Sequence, residues 1–254
     1  MTDLGGKVAV VTGGAGGIGA AICRGLAYAG CAVVAGYNSS EGPALELARS
    51  LAPAPLPHAA LRAPVTDSAA MQALAAEVAR RYGRCDILVN CAGTTRFVPH
   101  GDLDALDDEL IDQILATNVR GPFAATRAFK PLLAAARQPG ETGLVVNISS
   151  IAAVTAMGSN VVYCASKAAV DNMTRSLARA LAPAIRVLSI SPGLADTDFV
   201  QRMDAAWRDE QAQRTPLRRL ALPDEVAAAV LAAATLLSFT TGAVVPVDGG
   251  RPLA

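Results

Sequence analysis

The sequence lacks an excess of charge of either sign. Its 22 basic residues balance its 22 acidic residues, and charged residues make up only 17% of the chain. Proteins that bind nucleic acid or an anionic membrane surface usually show a basic excess. We therefore expect neither nucleic acid nor membrane as a partner, and a small molecule as the ligand.

Clusters of cysteine and histidine are also missing. The five cysteines include no Cys-x-x-Cys pair, and the two histidines, His58 and His100, lie apart from them. A zinc site or a disulfide framework normally needs such clusters. We predict no metal site, and reduced thiols in a cytoplasmic protein.

No hydrophobic run is long enough to cross a bilayer. The longest, from Val226 to Leu237, falls short of the roughly 20 residues that a spanning helix needs. The first residues include an acid, Asp3, and no long apolar stretch, so they are unlike a signal peptide. The hydrophobic content of 52% is sufficient for one large core.

What the sequence does contain is a strand, a glycine-rich turn, a helix and a second strand within its first forty residues. Residues 7–11 and 32–37 are apolar and rich in β-branched side chains, and residues 20–29 have helical spacing. A glycine-rich turn at the start of a helix offers backbone N–H groups to a diphosphate. A turn without a ligand is the alternative. We interpret the turn as a dinucleotide site, formed by Gly13, Ala15, Gly17, Ile18 and Gly19.

A second pattern places a phenol beside an ammonium group. Tyr163 and Lys167 are four positions apart in a helix-forming segment, so their Cβ atoms should lie about 5–6 Å apart on one face. A fixed positive charge stabilises a phenolate. Ser150 follows the apolar run at residues 144–149, which predicts a strand that ends beside this helix. Taken alone, such a Tyr–Lys pair is often only a solvated surface pair.

The Thr-Gly-x-x-x-Gly-x-Gly motif at residues 12–19 and the three side chains together resemble the short-chain dehydrogenase/reductase family, in particular its 3-oxoacyl-[acyl-carrier-protein] reductase-like members. The resemblance implies a three-layer, doubly wound α/β fold (Rossmann fold) with a parallel sheet of seven strands. It also implies hydride transfer between NAD(P)(H) and a carbonyl or secondary alcohol. Tyr163 would protonate the carbonyl oxygen, Ser150 would bind it, Lys167 would bind the nicotinamide ribose, and Asn118 would hold a water in the proton path.

The resemblance assigns further dinucleotide contacts to loops that follow other predicted strands. Where the family often has an Asp that contacts the adenine, this chain has Val65, so backbone and apolar contact is expected there instead. The residues of the family's Asn-Asn-Ala-Gly and Pro-Gly motifs pass close to the ribose and the nicotinamide. The positions implied are Val65, Asn90, Ala92, Gly93, Pro192, Gly193, Ala195 and Thr197.

The end of the second predicted strand decides between NAD and NADP. An acid at this position binds the ribose 2′-hydroxyl of NAD and repels a 2′-phosphate. Here Tyr37 occupies it, followed by Asn38, Ser39 and Ser40, whose side chains can donate hydrogen bonds to a phosphate. We predict a preference for NADP(H). NAD(H) is the alternative, because no Arg or Lys is adjacent to Tyr37 in the sequence.

We expect one domain over residues 1–254, with a substrate lid around residues 194–222 that contains no Arg or Lys assignable to a particular substrate group. Residues 151–162 are predicted as a loop that brings Met157, Gly158 and Asn160 beside the substrate. The resemblance implies a homo-oligomer, either a tetramer or a dimer. Two alternative functions remain: an NAD-dependent alcohol, sugar or hydroxysteroid dehydrogenase, and a non-catalytic dinucleotide-binding redox sensor.

Overall fold

The structure is a computed structural model that describes residues 3–135 and 141–253. A parallel sheet lies at the centre of the molecule. Seven strands are hydrogen-bonded in the order β3-β2-β1-β4-β5-β6-β7. This confirms the predicted doubly wound α/β sheet of seven strands. The strands are β1 (Val8–Thr12), β2 (Ala32–Tyr37), β3 (Ala59–Arg62), β4 (Ile87–Asn90), β5 (Gly143–Ile148), β6 (Ile185–Pro192) and β7 (Val244–Val247).

Helices follow the strands along the chain and cover both faces of the sheet. A π-helical turn at residues 116–120 joins α4 to α5, and a short 3₁₀ turn, Arg251–Leu253, follows β7. The α-helices of the described residues are α1 (Gly17–Tyr28), α2 (Glu41–Ser50), α3 (Ser68–Tyr82), α4 (Asp108–Leu115), α5 (Gly121–Ala134), α6 (Ala152–Thr155), α7 (Val161–Leu181), α8 (Asp198–Gln201), α9 (Ala205–Gln213) and α10 (Pro223–Thr235).

The sheet is buried on both faces because successive side chains of a strand point to opposite sides. Val8 and Val10 of β1 pack in the layer that contains α3, α5 and α7, whereas Ala9 and Val11 pack against α1 and α10. All five residues of β1 are buried. This explains why the strand is a continuous apolar run rather than an alternating one, and it gives the three-layer arrangement that was predicted.

Helix α3 has a capping residue at each end. The Asp67 carboxylate accepts hydrogen bonds from the N–H groups of Ala69 and Ala70 at its start. Gly83 ends the helix at a φ of 67°, in the left-handed region that glycine adopts without strain.

Two local predictions were wrong in detail. Residues 151–162 are not all loop, since α6 forms one turn there and α7 already begins at Val161. Asn160 does not lie beside a substrate, because it is fully buried and caps the first turn of α7. An asparagine amide satisfies free N–H groups at a helix start, and this explains its placement.

The parallel arrangement brings the carboxyl ends of the strands to one edge of the sheet. Thr12 at the end of β1 pairs with Asn90 of β4, and Asn90 pairs with Asn147 of β5. The loops that follow these strands therefore leave the sheet side by side, where ligands of open α/β sheets bind. Across residues 3–135 and 141–253, no helix has both the length and the hydropathy needed to cross a membrane.

Arg186 of β6 fastens the last turns of α10 to the sheet. Its guanidinium donates hydrogen bonds to the carbonyl oxygens of Ala233 (3.1 Å), Leu237 (2.8 Å) and Thr240 (3.2 Å). The final turn of α10 contains no basic residue of its own, so Arg186 supplies the cation that a helix C-terminus favours. Partial burial lowers the pKa of this guanidinium.

We predict that Arg186→Met lowers the free energy of unfolding by about 2–4 kcal/mol, because several charge-assisted hydrogen bonds to main-chain carbonyls are lost together. Urea denaturation followed by circular dichroism measures the change. Arg24→Met, at an exposed position of α1 outside its last turn, is the matched control and should change stability by less than about 0.5 kcal/mol. Equal effects of the two substitutions would contradict this role for Arg186.

Candidate active site

A cleft of about 1050 Å³ lies along the carboxyl edge of the sheet. Its wall includes the loops after β1, β2, β3, β4, β5 and β6, together with residues of α7 and α9. All the predicted site residues line it except Asn90 and Asn118, which are buried beside it. The residues that line it are Gly13, Ala15, Gly17, Ile18, Gly19, Tyr37, Asn38, Ser39, Ser40, Val65, Ala92, Gly93, Ser150, Tyr163, Lys167, Pro192, Gly193, Ala195 and Thr197.

At the closest contacts of the glycine-rich turn, only glycine fits, because a Cβ atom would approach neighbouring residues too closely. Gly13 has a φ of +66°, and a Cβ there would lie 2.9 Å from the Cα of Ala92. A Cβ on Gly17 would lie 3.0 Å from the side chain of Thr197. Gly16, the N-cap of α1, has no side chain that caps the helix. The first N–H groups of α1 are thus left for an anionic ligand in the cleft, which fits a diphosphate.

Thr12 links this turn to the loop that follows β4. Its hydroxyl oxygen accepts hydrogen bonds from the N–H groups of Cys91 (3.1 Å) and Ala92 (3.2 Å). Two sides of the cleft are therefore held at a fixed separation by one side chain at the end of β1.

Asn90 belongs to a buried polar chain rather than to the cleft surface. Its amide nitrogen donates to Asn147 Oδ1 at 2.8 Å, and the amide nitrogen of Asn147 donates to Thr174 Oγ1 at 2.8 Å. Thr174 is on α7, so this chain of hydrogen bonds joins β4, β5 and α7. These hydrogen bonds therefore help to fix the position of α7 relative to the carboxyl ends of β4 and β5.

Lys167 is buried beside the end of β5. Its side-chain nitrogen donates a hydrogen bond to the carbonyl oxygen of Ile148 at 2.9 Å and lies 5.6 Å from the centroid of the Tyr163 ring. The helical spacing thus places the phenol and the ammonium together, as the sequence suggests. Ser150 lies two residues after the end of β5, and its hydroxyl oxygen accepts a hydrogen bond from the Ala152 N–H at 3.2 Å.

Asn118 lies in the π-helical turn between α4 and α5, a distortion that is frequent at functional sites. Its amide oxygen accepts from the Thr94 N–H at 2.8 Å, and its nitrogen donates to the Thr94 carbonyl and to Ser166 Oγ. A Cβ built on Gly93 would be 3.5 Å from Asn118 Oδ1 and 3.9 Å from Lys167 Nζ. The absent side chain of Gly93 therefore leaves space between these two groups.

Asn160 connects the start of α7 to the loop after β4. Its oxygen accepts from the Tyr163 N–H at 2.7 Å, while its nitrogen donates to Thr95 Oγ1 at 3.2 Å and to the Arg96 carbonyl at 2.8 Å. It therefore orients the turn that carries Tyr163. The sequence signal for this role is a capping residue three positions before Tyr163.

The structure adds two charged residues next to Tyr37. The Tyr37 hydroxyl donates to Glu41 Oε1 at 2.9 Å, and this hydrogen bond raises the pKa of Tyr37. Arg62 of β3 is the register partner of Tyr37, and its positive charge acts in the opposite direction. Sequence reasoning missed Arg62 because it searched only the positions adjacent to Tyr37. The signal that would have found it is the parallel pairing of β2 with β3.

A further part of the wall comes from the segment predicted as a lid, in which the sequence assigned no individual site residue. Trp207 and Gln211 of α9 and Arg214, the residue after this helix, line the cleft, and Arg251 lines it from the turn after β7. Positions 207, 211 and 214 share one helical face, and this spacing was the available signal.

Cys91 lines the cleft as a neutral thiol, because burial raises its pKa to about 11. Among the residues that the structure describes, no group of three or more His, Cys, Asp or Glu side chains could hold a metal ion.

The chain is similar in sequence to known proteins over almost its whole length. Residues 13–251 match the family model described as enoyl-(acyl carrier protein) reductase. The chain is 40% identical to the cis-4-hydroxycyclohexanecarboxylate dehydrogenase of Sinomonas cyclohexanicum, over 96% of both chains. It is 34% identical to the 3-oxoacyl-[acyl-carrier-protein] reductase FabG of Thermotoga maritima, over 97% of this chain and 98% of the relative.

The fold is also similar to that of a solved structure. The Pseudomonas aeruginosa RhlG/NADP active-site complex superposes with a TM-score of 0.91 at 30% identity, over 99% of this chain and 98% of that one. These matches cover nearly the whole chain and include the glycine-rich turn, Ser150, Tyr163 and Lys167. The chain therefore belongs to the short-chain dehydrogenase/reductase family and is an oxidoreductase that acts on a carbonyl group or the corresponding alcohol.

Proposed function

We propose that this enzyme transfers a hydride between NADP(H) and a small carbonyl compound or secondary alcohol. The observation that supports this most strongly is the placement of Ser150, Tyr163 and Lys167 in the same cleft as a glycine-rich turn. A dinucleotide whose diphosphate rests on this turn would extend along the strand ends towards these side chains. When bound, it supplies the hydride that reaches the carbonyl carbon.

In the reduction direction, the chain's own residues handle the carbonyl oxygen and its proton. Ser150 donates a hydrogen bond to the oxygen, and Tyr163 gives it the phenolic proton. The phenolate that remains is stabilised by the ammonium group of Lys167, which lies over the Tyr163 ring. Oxidation of an alcohol uses the same residues in reverse.

Lys167 also has donors left for a ligand. Its ammonium group carries three N–H donors, and Ile148 accepts one of them. We assign the others to the nicotinamide ribose and to a water in the space beside Gly93. Asn118 borders this space, so the water would return a proton from solvent towards Tyr163.

Preference for NADP(H) is supported by the residues around Tyr37. Asn38, Ser39 and Ser40 line the cleft with hydrogen-bond donors. Arg62, the register partner of Tyr37 on β3, adds a positive charge on the neighbouring strand. The Glu41 carboxylate, which accepts a hydrogen bond from the Tyr37 hydroxyl, is the opposing feature, because a negative charge near this strand end repels a 2′-phosphate. The RhlG structure named above is a complex with NADP. NAD(H) use, as in an alcohol, sugar or hydroxysteroid dehydrogenase, is the alternative.

The names of the relatives indicate different substrates, from a hydroxycyclohexanecarboxylate to a 3-oxoacyl thioester. A 3-oxoacyl thioester is thus one candidate substrate for this chain. The non-catalytic redox sensor receives no support from the site, because all three of Ser150, Tyr163 and Lys167 are present in the cleft.

We further propose one catalytic domain with a lid around residues 194–222. The lid contains α8 and α9, and no residue of α9 is buried. A homo-oligomer, a tetramer or a dimer, is supported by apolar side chains exposed near the outer strand, Leu236 and Phe239. A cytoplasmic location is consistent with five free cysteines. A monomer in size-exclusion chromatography at micromolar concentration would contradict the oligomer.

We predict that Tyr163→Phe lowers kcat about 10²- to 10⁴-fold, the usual contribution of general acid catalysis. NADPH oxidation with a panel of ketones and aldehydes measures this. NADPH binding should persist, because the substitution removes only one oxygen.

The control is Tyr28→Phe, which alters an exposed tyrosine of α1 far along the chain from the cleft residues of α7. Its kcat should equal that of the wild type. Unchanged NADPH oxidation by the Tyr163→Phe enzyme would contradict the proposed mechanism.

The cofactor proposal predicts that NADPH binds more tightly than NADH. Arg62→Ala should weaken NADPH binding roughly tenfold, the loss of about one charge-assisted hydrogen bond, and should leave NADH binding unchanged. Paired fluorescence titrations with the two dinucleotides measure both effects. Arg49→Ala, in the last turn of α2, is the control. Tighter binding of NADH to the wild type would overturn the preference.

A further inference from the structure

Part of the cleft wall consists of side chains that the hydride-transfer mechanism does not use. Trp207, Gln211 and Arg214 line the cleft from one face of α9. Arg251 joins them from the turn after β7, and its guanidinium donates to the Gln211 carbonyl and to Gln211 Oε1, both at 2.7 Å. We call these four residues the lid face.

The two arginines of the lid face are poorly neutralised. The acceptors of Arg251 on Gln211 are uncharged, and in the described parts of the chain Arg251 forms no ion pair with a carboxylate. Arg214 pairs with Glu210 at 2.7 Å, but both side chains are more than half exposed, at 61% and 52%. Such an exposed pair is weak and easily exchanged for another anion.

The charges of the cleft wall therefore favour an anion at this position. Burial, and then the positive charge of Arg214, lower the pKa of Arg251, whereas the Glu210 carboxylate raises it. Glu210 also pairs with Arg214, so one exposed carboxylate serves two guanidinium groups. Among the described residues that line the cleft, Asp198 provides the only carboxylate, against the cations Lys167, Arg214 and Arg251. An anionic ligand between the two arginines would remove their repulsion.

We propose that the lid face binds an anionic group of the substrate through Arg214 and Arg251. The substrate is then a carbonyl compound that also carries a carboxylate or a phosphate. This rests on the proposed function, since it concerns the compound that reaches Tyr163. A guanidinium group matches either anion with two parallel N–H donors. Because Gln211 already orients Arg251, less side-chain entropy is lost on binding.

The anion has two chemical sources, which an experiment can separate. It is either the carboxylate of a compact keto acid or a phosphate of a coenzyme A-type thioester. Trp207 is the single tryptophan of the chain and is part of the lid face, so its fluorescence reports on binding there. The titration uses the full-length protein saturated with oxidised dinucleotide, which has no hydride to donate, so binding is measured without turnover.

The ligands are keto acids whose carbon chain lengthens by one methylene at a time, each with its methyl ester, and acetoacetyl-coenzyme A with the matching N-acetylcysteamine thioester. We expect one anionic member to bind at least about tenfold more tightly than its neutral partner, as for charge-assisted hydrogen bonds. A preference within the keto acids identifies a carboxylate, and a preference within the thioesters identifies the phosphate.

Arg214→Gln and Arg251→Gln should each reduce that preference about tenfold. Arg202→Gln, an exposed lid arginine that does not line the cleft, should keep it. A merely structural effect on the lid would weaken the anionic and the neutral ligand alike and leave their ratio unchanged.

The inference is overturned if no anion binds more tightly than its neutral partner, or if the preference survives both substitutions. NADPH and NADH oxidation with the same ligands is a separate readout. Selective anion binding without any reduction would support the anion site while contradicting the proposed hydride transfer.

Discussion

The site depends on one buried ammonium group that a main-chain carbonyl holds in place. Lys167 is buried, and burying a charge is costly unless it is compensated by polar partners. Ile148, the last residue of β5, provides that partner, because its carbonyl oxygen accepts a hydrogen bond from the Lys167 ammonium group at 2.9 Å. The same contact fixes α7 against the strand end from which Ser150 follows. The proposed acid, its stabilising cation and the group that binds the carbonyl oxygen are thus positioned together.

The parallel sheet brings residues from distant parts of the chain to one edge, beside this site. Thr12, Asn90 and Asn147 end or nearly end three adjacent strands, and their side chains bind neighbouring loops and helices instead of water. The buried chain from Asn90 through Asn147 to Thr174 ties α7 to the same edge. Buried side-chain hydrogen bonds therefore hold the edge of the sheet beneath these loops, and in the described part of the chain only the side-chain oxygen of Asn90 lacks a partner among the three side chains.

The sequence was informative wherever function requires a local pattern. The glycine-rich turn and the spacing of Tyr163 and Lys167 each depend on residues a few positions apart, and local geometry decides them. It was uninformative where function requires residues from separate elements. Arg62 meets Tyr37 only through strand register, and Arg251 meets Gln211 only after the C-terminal turn packs on the lid. Asn160 was misassigned because a capping amide and a substrate contact have the same sequence signal.

The central claim is that the dinucleotide lies along this cleft with its nicotinamide ribose at Lys167. A crystal structure of the protein with bound NADP tests it most directly. The account predicts that Lys167 keeps its hydrogen bond to the Ile148 carbonyl and donates a further one to a ribose hydroxyl, with the diphosphate on the N–H groups at the start of α1. A dinucleotide whose nicotinamide half lies away from Lys167 and Tyr163 would contradict it.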